Sequence, residues 1–161
     1  MPLSLDPFTP DYRQGVIDLI LPIQQQEFEI PITAAEQPDL DDIPGFYQTG
    51  TGGFWLALDD RQVVGTIGLK DIGGSQAALR KMFVASDYRG AGHGVATRLL
   101  QHLLDEARKS GIERVWLGTT TQFLAAHRFY EKHGFERIDE SLLPPGFPRM
   151  AVDSRFYRRR P

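Results

Sequence analysis

The segment richest in chemistry is Val84-Ala85-Ser86-Asp87-Tyr88-Arg89-Gly90-Ala91-Gly92-His93-Gly94-Val95. A strand-like apolar run ends there, three alternate glycines follow, and a helical pattern begins. That order builds an anion site. Glycines let the backbone approach a ligand and adopt positive φ, the first amides of a helix point outward, and the helix dipole adds partial positive charge. Arg89 adds a full one. The spacing matches neither a Gly-x-x-x-x-Gly-Lys-Ser/Thr loop nor Gly-x-Gly-x-x-Gly, because Gly90 and Gly92 are followed by Val95, and Gly92 and Gly94 by Thr97. ATP loops and dinucleotide folds are therefore disfavoured. Other constellations fail on inspection. Cysteine is absent, which excludes a thiolate zinc site and a cysteine-borne acyl intermediate. His93, His102, His127 and His133 show no His-Glu-x-x-His spacing, so no metal site is expected. Ser86 and Asp87 lack the Gly-x-Ser-x-Gly elbow of a serine hydrolase.

These residues need elements to hold them. Leu3 to Phe8 alternates like a short strand, and Thr9 or Asp11 can cap a helix whose inner side is Val16, Ile17, Leu19 and Ile20. Pro22 should kink or interrupt that helix, Gln24 to Glu29 resume it as far as Pro31, and Leu40 to Tyr47 form a short helix between Pro38 and Gly50. Phe54 to Leu58, Val63 to Asp71 and Gln76 to Val84 read as an antiparallel meander joined at Asp59-Asp60-Arg61 and Ile72-Gly73-Gly74-Ser75. From Gly94 to Ser110 the positions Val95, Ala96, Leu99, Leu100, Leu103, Leu104 and Ala107 recur at helical spacing, with Gly111 as the left-handed cap. Arg114 to Gly118 is a strand, Phe123 to His133 a helix closed by Gly134, Phe135 to Ile138 a strand, and Met150 to Tyr157 a further strand after the Pro144-Pro145-Gly146 loop. Residues 77 to 119 should form a right-handed crossover with parallel strands. The fold class is mixed α/β.

Composition narrows the function. A length of 161 residues predicts a single domain over 1–161, and 41% hydrophobic with 24% charged residues is globular rather than disordered. No apolar run approaches the roughly 20 residues that cross a bilayer, and Met1 to Asp6 lacks the regions of a signal peptide. A cytoplasmic protein without a membrane partner is expected. Residues 1 to 60 hold 11 of the 21 acidic side chains and only Arg13 of the 18 lysines and arginines. That asymmetry is either solvated surface or a two-sided site, a basic part holding an anion and an acidic part drawing in a cation. So acidic a companion argues against a nucleic-acid partner, and Arg158-Arg159-Arg160 reads as a frayed end.

Arg89-Gly90-Ala91-Gly92-His93-Gly94, placed after an apolar strand, resembles motif A of the GNAT acetyltransferase superfamily, Gln/Arg-x-x-Gly-x-Gly/Ala. Ala125-Ala126-His127-Arg128-Phe129-Tyr130-Glu131-Lys132-His133-Gly134-Phe135 resembles its motif B, which ends in Tyr-Glu-Lys-x-Gly-Phe. In order and correctly spaced, the two cover nearly the full chain with the elements around them. One departure is visible: many members carry Asn seven residues before this tyrosine, where Phe123 stands here, and Gln122 is the candidate replacement toward the pantetheine arm.

The resemblance implies a mostly antiparallel seven-stranded sheet splayed between its fourth and fifth strands, flanked by about four helices, with acetyl-CoA in the V. Met82, Phe83 and Val84 would lie along the pantetheine, and Arg89, Gly90, Ala91, Gly92, His93 and Gly94 would wrap the pyrophosphate, His93 through its amide. The implied activity is acetyl transfer from acetyl-CoA to a primary amine of a small molecule or protein. A lysine-like amine of pKa ~10.4 is neutral only about once in 2,500 molecules at pH 7, a cost of roughly 4.6 kcal/mol, so a group must take its proton. Glu27 or Glu29, at the end of the N-terminal helical region that borders the acceptor pocket in the superfamily, is the candidate base, and Glu27 is chosen. Tyr130 is the candidate donor to the departing sulfur. Asp39, Asp41 and Asp42 read as capping and surface charge, or as an acidic funnel for the acceptor. With no cysteine to acylate, direct attack in a ternary complex is expected. The alternative is a CoA-binding sensor or interaction module without turnover. Met150 to Tyr157 could also serve in a homodimer contact.

Overall fold

In the computed structural model, which describes residues 3–90, 94–120, 124–150 and 153–161, seven strands form one mixed sheet. They are Leu3–Pro7 (β1), Gly53–Asp59 (β2), Gln62–Gly73 (β3), Gln76–Val84 (β4), Arg114–Thr119 (β5), Glu136–Ile138 (β6) and Arg155–Arg159 (β7), in the order β1-β2-β3-β4-β5-β7-β6. All neighbours are antiparallel except β4 and β5. The meander follows from its turns. Asp59 pairs with Gln62 and Gly73 with Gln76, which leaves two-residue hairpins, and the left-handed φ values of Asp60, Gly74 and Ser75 suit the strand twist.

Helices cover both faces. Along β2, Trp55 and Ala57 join the core under Val95–Lys109 (α4), while Phe54, Leu56 and Leu58 join the core under Arg13–Pro22 (α1). This is why β2 reads as a continuous apolar run rather than an alternating one. The α4 stripe, Val95, Leu99, Leu100, Leu103, Leu104 and Ala107, is buried throughout, and each large side chain contributes roughly 1.5–3 kcal/mol on burial. The helix can approach closely because β3 has Gly65 there: a Cβ would lie 2.9 Å from Leu99 Cδ1 and 3.2 Å from Ala57 Cβ. Among the described residues no helix is long and apolar enough to cross a membrane.

Several expectations need correction. At Pro22, where a kink or an interruption is expected, the α-helix ends but the helical run does not break. Pro22 lacks the N–H that would reach Asp18, and the chain accommodates this by widening into a π-helical turn over Ile23–Glu27, with Phe28 N–H donating to Ile23 O at 3.1 Å. The helix expected over Leu40 to Tyr47 is two short ones, Pro38–Asp41 (α2) and Ile43–Phe46 (α3). Pro44 has no N–H to continue from α2, so a new helix starts with the Asp42 carboxylate accepting from Gly45 N–H at 3.0 Å. The helix after β5 is Leu124–Lys132 (α5); Phe123, where it was expected to start, lies outside the described residues. The final strand starts five residues later than expected, because Met150 N–H is tied to Asp153 Oδ2 at 2.9 Å and Asp153 N–H to Met150 O at 3.0 Å. The basic tail is not frayed: Arg158 and Arg159 pair with Trp116 and Val115 as part of β7.

Candidate active site

The fourth and fifth strands share only three rungs, Gln76 with Arg114, Ala77 with Val115 and Ala78 with Trp116. Beyond them β5 keeps its other neighbour, β7, through Thr119, while β4 bends. The bend is a bulge. Thr66 pairs with Phe83 and Gly68 with Arg80, so β4 spends one residue more than β3 over this stretch, and Lys81 sits at φ 53° within it. A lysine in the left-handed region costs roughly 1 kcal/mol or more. The Thr66 hydroxyl, donating to Lys81 O at 2.7 Å, helps hold it there. The result is a cleft lined from one side by Leu79 to Phe83 and from the other by Leu117 to Thr120, with Ala126 and Tyr130 of α5 also on its wall.

Tyr130 is 6% exposed and its hydroxyl donates toward Met82 Sδ at 3.7 Å. Burial pushes its phenol well above the ordinary value, so it stays protonated at neutral pH and can donate. Thr119, on the same cleft, has a buried Oγ1 without a hydrogen-bond partner. Its orphaned hydroxyl suits a ligand carrying amide groups, such as a pantetheine arm.

At the end of β4 the chain passes through Ser86–Tyr88, a single 3₁₀ turn, to Arg89. Gly90 and Gly94 have φ values of +97° and +63°, and among the described residues a Cβ at either would meet nothing within 4 Å. Gly94 is the N-cap of α4 and no side chain caps it, as anion binding by first-turn amides requires. Among the described residues of the segment, two amides have internal partners: Arg89 N–H donates to Ser86 O at 3.3 Å and Gly94 N–H to Gly90 O at 3.4 Å. Ala91, Gly92 and His93 lie outside the described residues, as does Gln122. The Arg89 side chain donates from Nε to Val84 O at 2.8 Å and grips Glu27 through both terminal nitrogens, Nη1 at 2.6 Å and Nη2 at 3.1 Å. The structure thus brings together two residues predicted for opposite ends of the reaction. Glu29 is exposed, with φ 54°.

The wall of the cleft around Arg80, Lys81 and Asp153 differs from the acidic funnel considered from sequence. Asp39 is neither cap nor surface charge. It is 4% exposed, accepts from the Tyr47 hydroxyl at 2.6 Å, and lies 3.5 Å from Lys81 Nζ and 3.9 Å from Arg80 Nη2. Asp41 pairs with Arg13 at 2.7 Å. Burial lowers Lys81, partly offset by Asp39, and raises both Tyr47 and Asp153. Arg80, Lys81 and Asp153 all line the cleft. Sequence reasoning missed this group. Consecutive strand residues point to opposite faces, and only the bulge lets both Arg80 and Lys81 join one wall. Among the described residues no group of three or more His, Asp or Glu is placed to hold a metal ion.

A family model described as the acetyltransferase (GNAT) family matches residues 17–135. The chain belongs to that family. A GNAT-family acetyltransferase from Staphylococcus aureus Mu50 superimposes at a TM-score of 0.95, with 36% identity and 99% of each chain covered. The N-acetylaspartate synthetase of Danio rerio is 33% identical over 133 residues, covering 80% of this chain and 46% of that protein. The chain thus spans about half the length of that relative. A PaiA N-acetyltransferase from Thermoplasma acidophilum, solved in complex with coenzyme A, shares the fold at a TM-score of 0.76 with 16% identity and 99% of each chain covered. The seven-stranded GNAT sheet with its parallel β4–β5 step is therefore the family architecture.

Proposed function

We propose that this chain is an N-acyltransferase that moves an acetyl group from acetyl-CoA to a primary amine by direct attack in a ternary complex. The observation that carries the reading is the β4–β5 cleft with a buried, protonated phenol on its wall. Acetyl-CoA supplies an activated thioester, and the coenzyme A bound by the Thermoplasma neighbour supports that choice of donor. Met82, Phe83 and Val84 offer the edge of β4 to the pantetheine, with Gln122 toward the same arm. Arg89, Gly90, Ala91, Gly92, His93 and Gly94 form the diphosphate loop in this reading, Arg89 through its guanidinium and the loop through amides other than those of Arg89 and Gly94, which already donate to Ser86 O and Gly90 O. Tyr130 gives its hydroxyl hydrogen to the departing sulfur.

Glu27 takes the acceptor's proton through water in this reading, which sets a condition on it. In the bidentate pair both of its oxygens serve Arg89. A diphosphate that recruits the guanidinium would loosen that pair and free the carboxylate. Glu27 is therefore expected to act only once the donor is bound.

The test is release of free CoA thiol from acetyl-CoA in the presence of primary amines, which the cysteine-free chain allows to be followed without background. Amine-dependent release is the expected result. Binding of acetyl-CoA without release across a broad amine panel would leave a CoA-binding module in its place.

A further inference from the structure

We propose that Arg80 and Lys81 form a carboxylate subsite in the acceptor half of the cleft, so that the amine acetylated here belongs to an amino acid or a similar amino-carboxylate. This rests on the acyltransferase reading above and names its substrate class. Two cationic side chains on one wall are a costly arrangement, because burial penalises charge and like charges repel. Lys81 is 4% and Arg80 14% exposed at the side chain. The protein supplies one fully buried carboxylate between them, Asp39, and that carboxylate already accepts from the Tyr47 hydroxyl. The other polar partners of Arg80 are neutral: Nε donates to the Tyr47 hydroxyl at 3.2 Å and Nη1 to Pro148 O at 2.9 Å. Asp153, the second carboxylate on the cleft, is partly buried, accepts from Met150 N–H, and shares its charge among three cations, Arg80, Arg149 and Lys81, so that the two carboxylates face three positive charges. An incoming carboxylate would complete this cluster, whereas a polyamine would bring further positive charge against it. The backbone is strained toward the same end, since straightening the bulge at Lys81 would send one of the two cations to the opposite face.

Calorimetric titration of the full chain with CoA present reads the subsite without turnover. The probes are the N-acetyl forms of alanine, β-alanine and glutamate, each against the amide that lacks only the main carboxylate. At least one acid should bind ten-fold or more tightly than its amide, and Arg80→Gln should erase the difference. Equal affinities within every pair, or a preference that persists in both Arg80→Gln and Lys81→Gln, overturns the proposal. In the turnover arm, the free amino acids should exceed their amides and putrescine at least ten-fold in kcat/KM for CoA release. Faster release with amides or putrescine overturns the subsite and leaves the acyltransferase reading standing. Carboxylate-dependent binding with no CoA release from any amine does the reverse.

Discussion

At Tyr130 the environment and the proposed task agree: a buried hydroxyl whose partner is a thioether sulfur, 3.7 Å away, is well placed to favour another sulfur when one arrives. Tyr130→Phe should lower the rate of CoA release about a hundred-fold, the range of a lost general acid, while the acetyl-CoA dissociation constant changes less than two-fold. A rate equal to that of the parent would remove the role. Glu27 carries a sharper condition because of Arg89. Glu27→Gln should leave acetyl-CoA binding intact or tighter, the guanidinium being easier to recruit, yet slow release at saturating amine; weaker binding with an unchanged rate would make the pair purely structural. Asp153 gives a prediction about pH. Burial raises its folded pKa above the unfolded value of about 3.9, so between those values the folded state holds more protons and stability falls as pH rises. Asp153→Asn should flatten that slope, visible in urea melts from pH 4 upward, and a slope identical to that of the parent would sink the assignment.

Among the elements, α4 carries the packing and Gly65 sets its distance. Gly65→Ala places a methyl 2.9 Å from Leu99 Cδ1 and should cost about 1–3 kcal/mol by overpacking, read as a shifted urea midpoint at constant slope. The long helix was legible because its six buried positions and the glycine after it obey a local rule. So was the meander, whose turns hold the residues that tolerate left-handed φ. Both glycine-loop and tyrosine motifs could be named from their spacing. What escaped has a common physical cause. The bulge at Lys81 uses no glycine or asparagine, and is held by Thr66 and Asp39, which are remote in sequence. Asp39 looked like one more exposed acid beside a proline, and nothing local says that Tyr47 will bury it. The π-helical turn after Pro22 has no sequence signal of its own, since a proline at that place reads only as a broken helix.

Taken whole, the molecule is a sheet in two portions. β1 to β4 lie on one side and β5, β7 and β6 on the other, meeting across three rungs. β7 fills the gap between β5 and β6, and Tyr157 in it is fully buried against the main core. The proposed donor would lie where the missing rungs belong. Saturation to a hundred times its dissociation constant should therefore stabilise the fold by about 2.7 kcal/mol, and slow amide exchange should spread into Met82 to Val84 and Leu117 to Thr119. Protection confined to the glycine loop would contradict that placement. A seam with so few stitches also has a mechanical meaning. Partial denaturation should tear the protein there first, and a protease added to coenzyme-free material should find the torn edge, so that resistance to digestion becomes a gauge of how much acyl donor the solution holds.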